Sequence, residues 1–106
     1  MNRDVYIPIL RSLILSLIYD KQYEEALDAE NRCLEINAQE IFCLAHKAYT
    51  LVFLRRFSEA ALIVNQALPL SAVTEVDTYA KQDLRKLKLI LDARASREGP
   101  NQIGGR

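Results

Sequence analysis

Hydrophobic residues recur with a helical period along most of the chain. Near the N-terminus they fall at i, i+3, i+4, i+7 and i+8, which is typical of one face of an α-helix; these residues are Leu10, Leu13, Ile14, Leu17 and Ile18. Similar patterns, separated by polar or proline-containing breaks, outline further helices at about 23–37, 40–53, 57–68 and 75–96. The pattern therefore predicts an all-α fold of about five helices within a single domain covering residues 1–98.

The predicted fifth helix has a clear start and a narrow apolar seam. Thr74, with Asp77 three residues later, predicts an N-cap with a weak capping box. The seam consists of Ala80, Leu84, Leu87, Leu91 and Ala95. It predicts either a lid over the rest of the domain or a surface for pairing with another helix. Gly99 and Pro100 are expected to end the helix, and residues 99–106 to form a flexible tail.

A second feature of the chain is an internal repeat. The stretch that opens at Tyr23 is matched, without a gap, by the stretch that opens at Phe57, 34 residues later. Identical pairs at this spacing are Ile7/Ile41, Leu10/Leu44, Leu17/Leu51, Glu25/Glu59, Ala26/Ala60, Asn31/Asn65, Leu34/Leu68 and Ala38/Ala72. A 34-residue period composed of two helices resembles the tetratricopeptide repeat family.

The resemblance implies two degenerate repeats, residues 7–40 and 41–74, followed by a capping helix at 75–96. Antiparallel helical hairpins would stack as a short right-handed solenoid. Ala26 and Ala60 are expected to be small because two helix backbones approach each other there. The chain departs from the family pattern where Lys47 replaces a leucine.

The resemblance also implies a concave groove lined by the first helix of each hairpin. The predicted partner contacts are Arg11, Leu15, Tyr19, Phe42, His46, Tyr49, Phe53 and Tyr79. Other groove positions, by the same register, are Pro8, Ser12, Ile18, Ala45, Val52, Val76, Ala80 and Asp83. This mostly apolar and aromatic surface is expected to hold a peptide or helix. Two alternatives stay open: the last helix of the chain fills the groove, or these residues are the core of a compact bundle.

A possible second interface lies where the two repeats differ. Leu62 and Ile63 occupy the positions that Asp28 and Ala29 hold in the first copy. Apolar residues on an outward face predict a covering partner. Since two hairpins make a very short solenoid, a partner subunit or self-association is expected.

Composition narrows the classes of function. The 106 residues carry 14 basic and 14 acidic side chains, so the net charge of zero gives no general attraction to nucleic acid or anionic membrane. The apolar stretch from Val5 to Tyr19 is shorter than a membrane span and is interrupted by Pro8 and Arg11. It is interpreted as a core helix, with an uncleaved or processed targeting segment as the alternative.

Candidate chemistry is sparse. His46 is the only histidine, and no phosphate-binding loop is present because all three glycines lie in the last eight residues. We therefore expect the protein to have no enzymatic activity, no metal site and no cofactor. Cys33 and Cys43 are interpreted as buried free thiols, which places the protein in the cytoplasm or another reducing compartment.

The expected function is a non-catalytic protein-interaction module, such as an adaptor, scaffold, assembly factor or small chaperone, or a docked subunit of a larger complex. The alternative is a helical module that contacts nucleic acid through basic residues of the last helix, namely Lys81, Arg85, Lys86, Lys88, Arg94 and Arg97. Interspersed acidic residues disfavour this alternative.

Overall fold

A computed structural model describes the backbone of residues 3–104 and the side chains of residues 6–97. All regular secondary structure in this part of the chain is helical, which confirms the all-α prediction. The five helices are α1 (Arg3–Tyr19), α2 (Tyr23–Ile36), α3 (Ile41–Phe53), α4 (Phe57–Ala67) and α5 (Glu75–Gly104).

The end of α5 differs from the prediction. The helical backbone continues to Gly104 instead of ending near Ser96, so the prediction that Gly99 and Pro100 stop the helix is wrong. A proline removes one backbone donor, but a helix can tolerate the loss, and α1 likewise continues through Pro8. Residues 99–106 were also predicted to form a flexible tail. Their side chains, and the backbone of residues 105–106, lie outside the described residues.

The central element of the fold is α3. Each helix packs against the next one along the chain, and α3 also contacts α1 and α5. Consequently α1 and α5 lie on either side of α3, while α2 and α4 pack against it as its neighbours in the chain.

The repeat in the sequence is also present in the backbone of the two turns that connect α1 to α2 and α3 to α4. Lys21, between α1 and α2, and Arg55, between α3 and α4, both adopt a left-handed φ of 61°. The amide that follows reaches back in the same way in each turn: Gln22 N donates to Leu17 O and Arg56 N donates to Leu51 O, both at 2.8 Å. Equivalent residues therefore build equivalent turns.

Among residues 6–97, whose side chains are described, the buried ones form two clusters. The larger lies among α3, α4 and α5 with Leu27 from α2, and the smaller lies between α1, α2 and the start of α3. Ala26 and Ala60 are fully buried, as expected for small residues where helices approach closely.

The start and the seam of α5 fix it on the domain. Asp77 N donates to Thr74 Oγ1 at 3.1 Å and Thr74 N donates to Asp77 Oδ2 at 3.2 Å, so the predicted capping box forms. The seam residues Ala80, Leu84 and Leu87, with Leu91, are buried in the larger cluster, whereas Ala95 is exposed. The seam thus covers α3 and α4 as a lid.

The two cysteines are bonded to each other. A disulfide joins Cys33 on α2 to Cys43 on α3, with an S–S distance of 2.07 Å. The interpretation of both residues as free thiols is therefore wrong, and the reducing compartment deduced from it loses its basis. The physical reason is the short turn after α2, which folds α3 back so that residues ten apart in sequence meet.

Candidate functional site

An open cavity of about 400 Å³ lies between α1, α3 and α5. Its lining residues are Leu15 and Ile18 from α1, Ala45, His46 and Tyr49 from α3, and Asp83, Lys86, Leu87 and Ile90 from α5. We call this cavity the groove. Three predicted contact residues, Leu15, His46 and Tyr49, line it.

The floor of the groove is one face of α3. Tyr49 lines the groove and is 39% exposed, whereas Phe53, one turn later, is 48% exposed but lies outside the lining. Their ring centroids are 4.8 Å apart. Phe53 in turn stacks on Tyr23 of α2 at 4.8 Å. Because both α3 aromatics are half-exposed, they are not the core of a compact bundle.

His46 is held in one tautomer. Its Nδ1 lies 2.8 Å from the carbonyl oxygen of Phe42, and its ring stacks on the Phe42 ring with centroids 4.1 Å apart. Burial lowers the pKa of His46 below its usual range, although the Phe42 carbonyl and Asp83 oppose the shift. The neutral ring at pH 7 therefore donates from Nδ1 to the carbonyl, which leaves Nε2 as a hydrogen-bond acceptor.

Two predicted contacts are engaged inside the fold instead. The Arg11 guanidinium forms a 2.6 Å ion pair with Glu40 and lies over the Phe42 ring at 5.5 Å. Arg11 and Phe42 therefore join α1 to the start of α3 and do not line the groove.

The second wall of the groove is α5. Asp83 was expected at the groove, but Lys86, Leu87 and Ile90 were missed, since Leu87 was assigned only to the seam. Helical spacing places Lys86 and Ile90 on the same face of α5 as Tyr79 and Asp83, but it does not show that this face turns towards the groove. Tyr79 itself is 58% exposed and lies outside the cavity lining.

The remaining predicted contacts lie apart from the groove. Tyr19 is 87% exposed and borders a shallow depression beside Leu15. On α4, Leu62 is 69% exposed, but Ile63 is half-buried and packs against the larger core cluster. The proposed second interface is thus reduced to Leu62, because Ile63 contributes to the core.

Several basic side chains of α5 make contacts within the domain. Lys81 Nζ donates to the Leu70 carbonyl at 2.8 Å, and Lys88 pairs with Asp92 at 3.2 Å. The Arg94 guanidinium lies 3.7 Å from the centroid of the Phe57 ring. Three of the six basic residues considered for nucleic-acid contact therefore interact with other residues of the domain.

No group of three or more histidine, cysteine, aspartate or glutamate side chains in the described part of the chain could hold a metal ion. None of its helices is both long enough and apolar enough to span a bilayer. Comparison with models of protein families, with curated proteins and with solved structures found no match. The evidence for function is therefore the geometry of the chain itself.

Proposed function

We propose that the protein is a non-catalytic interaction module that binds a helical segment of a protein in the groove. The observation that carries this proposal is the open cavity of about 400 Å³ whose apolar lining includes the half-exposed Leu15, Tyr49 and Ile90. Side chains of this kind stay exposed at a cost unless a partner covers them.

The proposed architecture is a short right-handed solenoid of two tetratricopeptide-like hairpins capped by α5. Three observations support it: the 34-residue period, the equivalent left-handed residues Lys21 and Arg55, and the contacts of α3 with both α1 and α5. In such a stack the groove is the concave side formed by α1, α3 and α5.

The groove suits a helix with apolar anchors. It has two walls and a floor, and its polar side chains are few: His46 and Tyr49 on the floor and Asp83 and Lys86 on the α5 wall. Apolar anchor side chains supply most of the affinity when an amphipathic helix lies in a groove, and sparse polar groups fix its register. An adaptor or assembly factor uses this kind of contact.

The disulfide bears on where the module works. A cross-link between Cys33 and Cys43 persists in an oxidising compartment and is rare in the cytosol. We therefore place the protein in an oxidising setting, in place of the cytoplasmic location expected from the sequence. Mass spectrometry of peptides prepared without reductant from the native source tests this; free thiols at both positions would contradict it.

The binding proposal is tested with a library of helical peptides selected on the full chain, immobilised sparsely so that single chains are presented. The groove variants are Leu15→Gln and Ile90→Gln. Their matched controls are Leu13→Gln and Leu89→Gln, which change exposed neighbours that do not line the groove.

Each groove variant is expected to weaken the selected peptides by roughly tenfold to a hundredfold, the equivalent of one lost apolar anchor. Each control is expected to bind as the unaltered chain does. The proposal fails if no peptide is selected, or if groove and control variants bind equally well.

A further inference from the structure

One exposed face of α5 runs along the groove and has an unusual order of residues. At helical spacing it presents Val76, Tyr79, Asp83, Lys86, Ile90 and Ala93, all of them exposed. The face continues beside the buried seam that holds α5 on the domain. It is therefore available to a partner while α5 stays docked.

This order is symmetric about its centre. Asp83 and Lys86 are equally far from the midpoint between Leu84 and Arg85, and so are Tyr79 and Ile90. When two copies of a helix pack antiparallel around that midpoint, each residue faces its counterpart from the other half. Asp83 of each copy then lies opposite Lys86 of the other copy, which makes two such pairs. Likewise, Tyr79 of each copy lies opposite Ile90 of the other.

The centre of this face carries one acidic and one basic side chain. Within the described residues neither Asp83 nor Lys86 takes part in a salt bridge, whereas Lys88 on another side of α5 pairs with Asp92. A two-fold axis would pair both charges without adding any new group. The net charge of zero also removes long-range repulsion between two copies.

We infer that the helix held by the groove is α5 of a second copy of this chain, packed antiparallel against α5 in a two-fold symmetric dimer. This inference rests on the proposed function and names its partner. Because Asp83, Lys86 and Ile90 line the groove, a helix on this face also reaches towards Leu15 on the opposite wall and Tyr49 on the floor. The same patch on both chains makes the interface self-complementary, as a two-fold interface requires.

The test is charge reversal in the full chain, read as the dissociation constant from sedimentation equilibrium. Asp83→Lys places like positive charges opposite each other at both sites, and Lys86→Asp places like negative charges there. Each single variant is expected to raise the dissociation constant of the dimer at least tenfold. The double variant Asp83→Lys/Lys86→Asp restores both pairs and is expected to dimerise as the unaltered chain does.

Mixing the two single variants gives a second, independent readout. One chain then carries two positive charges and the other two negative charges, so heterodimers are expected to form where each variant alone is monomeric. Arg85→Asp is the matched control, because it makes the same charge change on a neighbouring exposed residue that does not line the groove. Circular dichroism of each variant verifies that the helices are retained.

The inference is overturned if the unaltered chain is a monomer, or if the double variant and the mixture fail to regain association. A monomer that still binds selected peptides in the groove would refute the second copy as occupant and leave the proposed function intact. A monomer that selects no peptide would refute both.

Discussion

Thr50 on α3 donates a hydrogen bond of 2.7 Å from its Oγ1 to Oε2 of Glu30 on α2, and both side chains are fully buried. The other carboxyl oxygen, Oε1, has no hydrogen-bond partner among the described residues. In the second repeat the position equivalent to Glu30 is the buried Val64. The first hairpin therefore carries an acid where the second has an aliphatic side chain.

Glu30 is expected to make stability fall as pH rises. Burial raises its pKa to about 8, despite the opposing hydrogen bond from Thr50 and the charge of Lys47. In the unfolded chain the pKa is near 4.5. Between these values the folded state holds a proton that the unfolded state has lost, so the free energy of unfolding should fall by up to about 1.4 kcal/mol per pH unit.

The measurement is urea denaturation of the oxidised protein at pH 5 and pH 8, in parallel with Glu30→Gln, which stays neutral and similar in shape. His46 acts in the opposite sense, since its lowered pKa removes stability as pH falls below 6.5. The difference between the two proteins isolates Glu30. The same pH slope in both would contradict the assignment.

Reduction of the disulfide is expected to destabilise the domain. The disulfide between Cys33 and Cys43 closes a loop with a sequence separation of ten. Because its removal raises the conformational entropy of the unfolded chain, the free energy of unfolding is expected to fall by roughly 3 kcal/mol. Thermal unfolding with and without reductant measures this. The double variant Cys33→Ala/Cys43→Ala should already unfold at the lower temperature and should not respond to reductant. An unaltered chain that is insensitive to reductant would refute the prediction.

Close helix packing at Ala60 is expected to exclude any larger side chain. Ala60 is fully buried, so Ala60→Val should cost roughly 1–3 kcal/mol of unfolding free energy through overpacking. Ala95→Val, at an exposed position of α5, should cost only the difference in helix propensity, below about 0.7 kcal/mol. Chemical denaturation compares the two. Equal losses would show that packing at Ala60 is not tight.

Most of the fold could be predicted because it depends on local patterns. Helical periodicity gave the five helices, and the polar pair Thr74 and Asp77 gave the start of α5. The disulfide could not be predicted in this way, because two cysteines ten residues apart meet only if the turn between α2 and α3 brings them together. The buried state of Glu30 was also missed, although Val64 at the equivalent position in the repeat pointed to it.

The groove was predicted only in part, because its remaining features depend on tertiary contacts between helices. Register placed Leu15, His46 and Tyr49 on the correct face of their helices. It could not show that Glu40 would engage Arg11, or that Phe53 would stack on Tyr23. The α5 wall depends on how the seam docks, so Lys86 and Ile90 become groove residues only once that helix is fixed in rotation.

The left-handed backbone at Lys21 and Arg55 offers two positions at which the domain could be stabilised by substitution. A side chain in this conformation costs roughly 1–2 kcal/mol that glycine would not, and yet the chain places all three of its glycines in the last eight residues. Neither position lines the groove. Glycine at both turns would offset damage elsewhere, so that variants of the groove too unstable to purify could be studied on a strengthened scaffold.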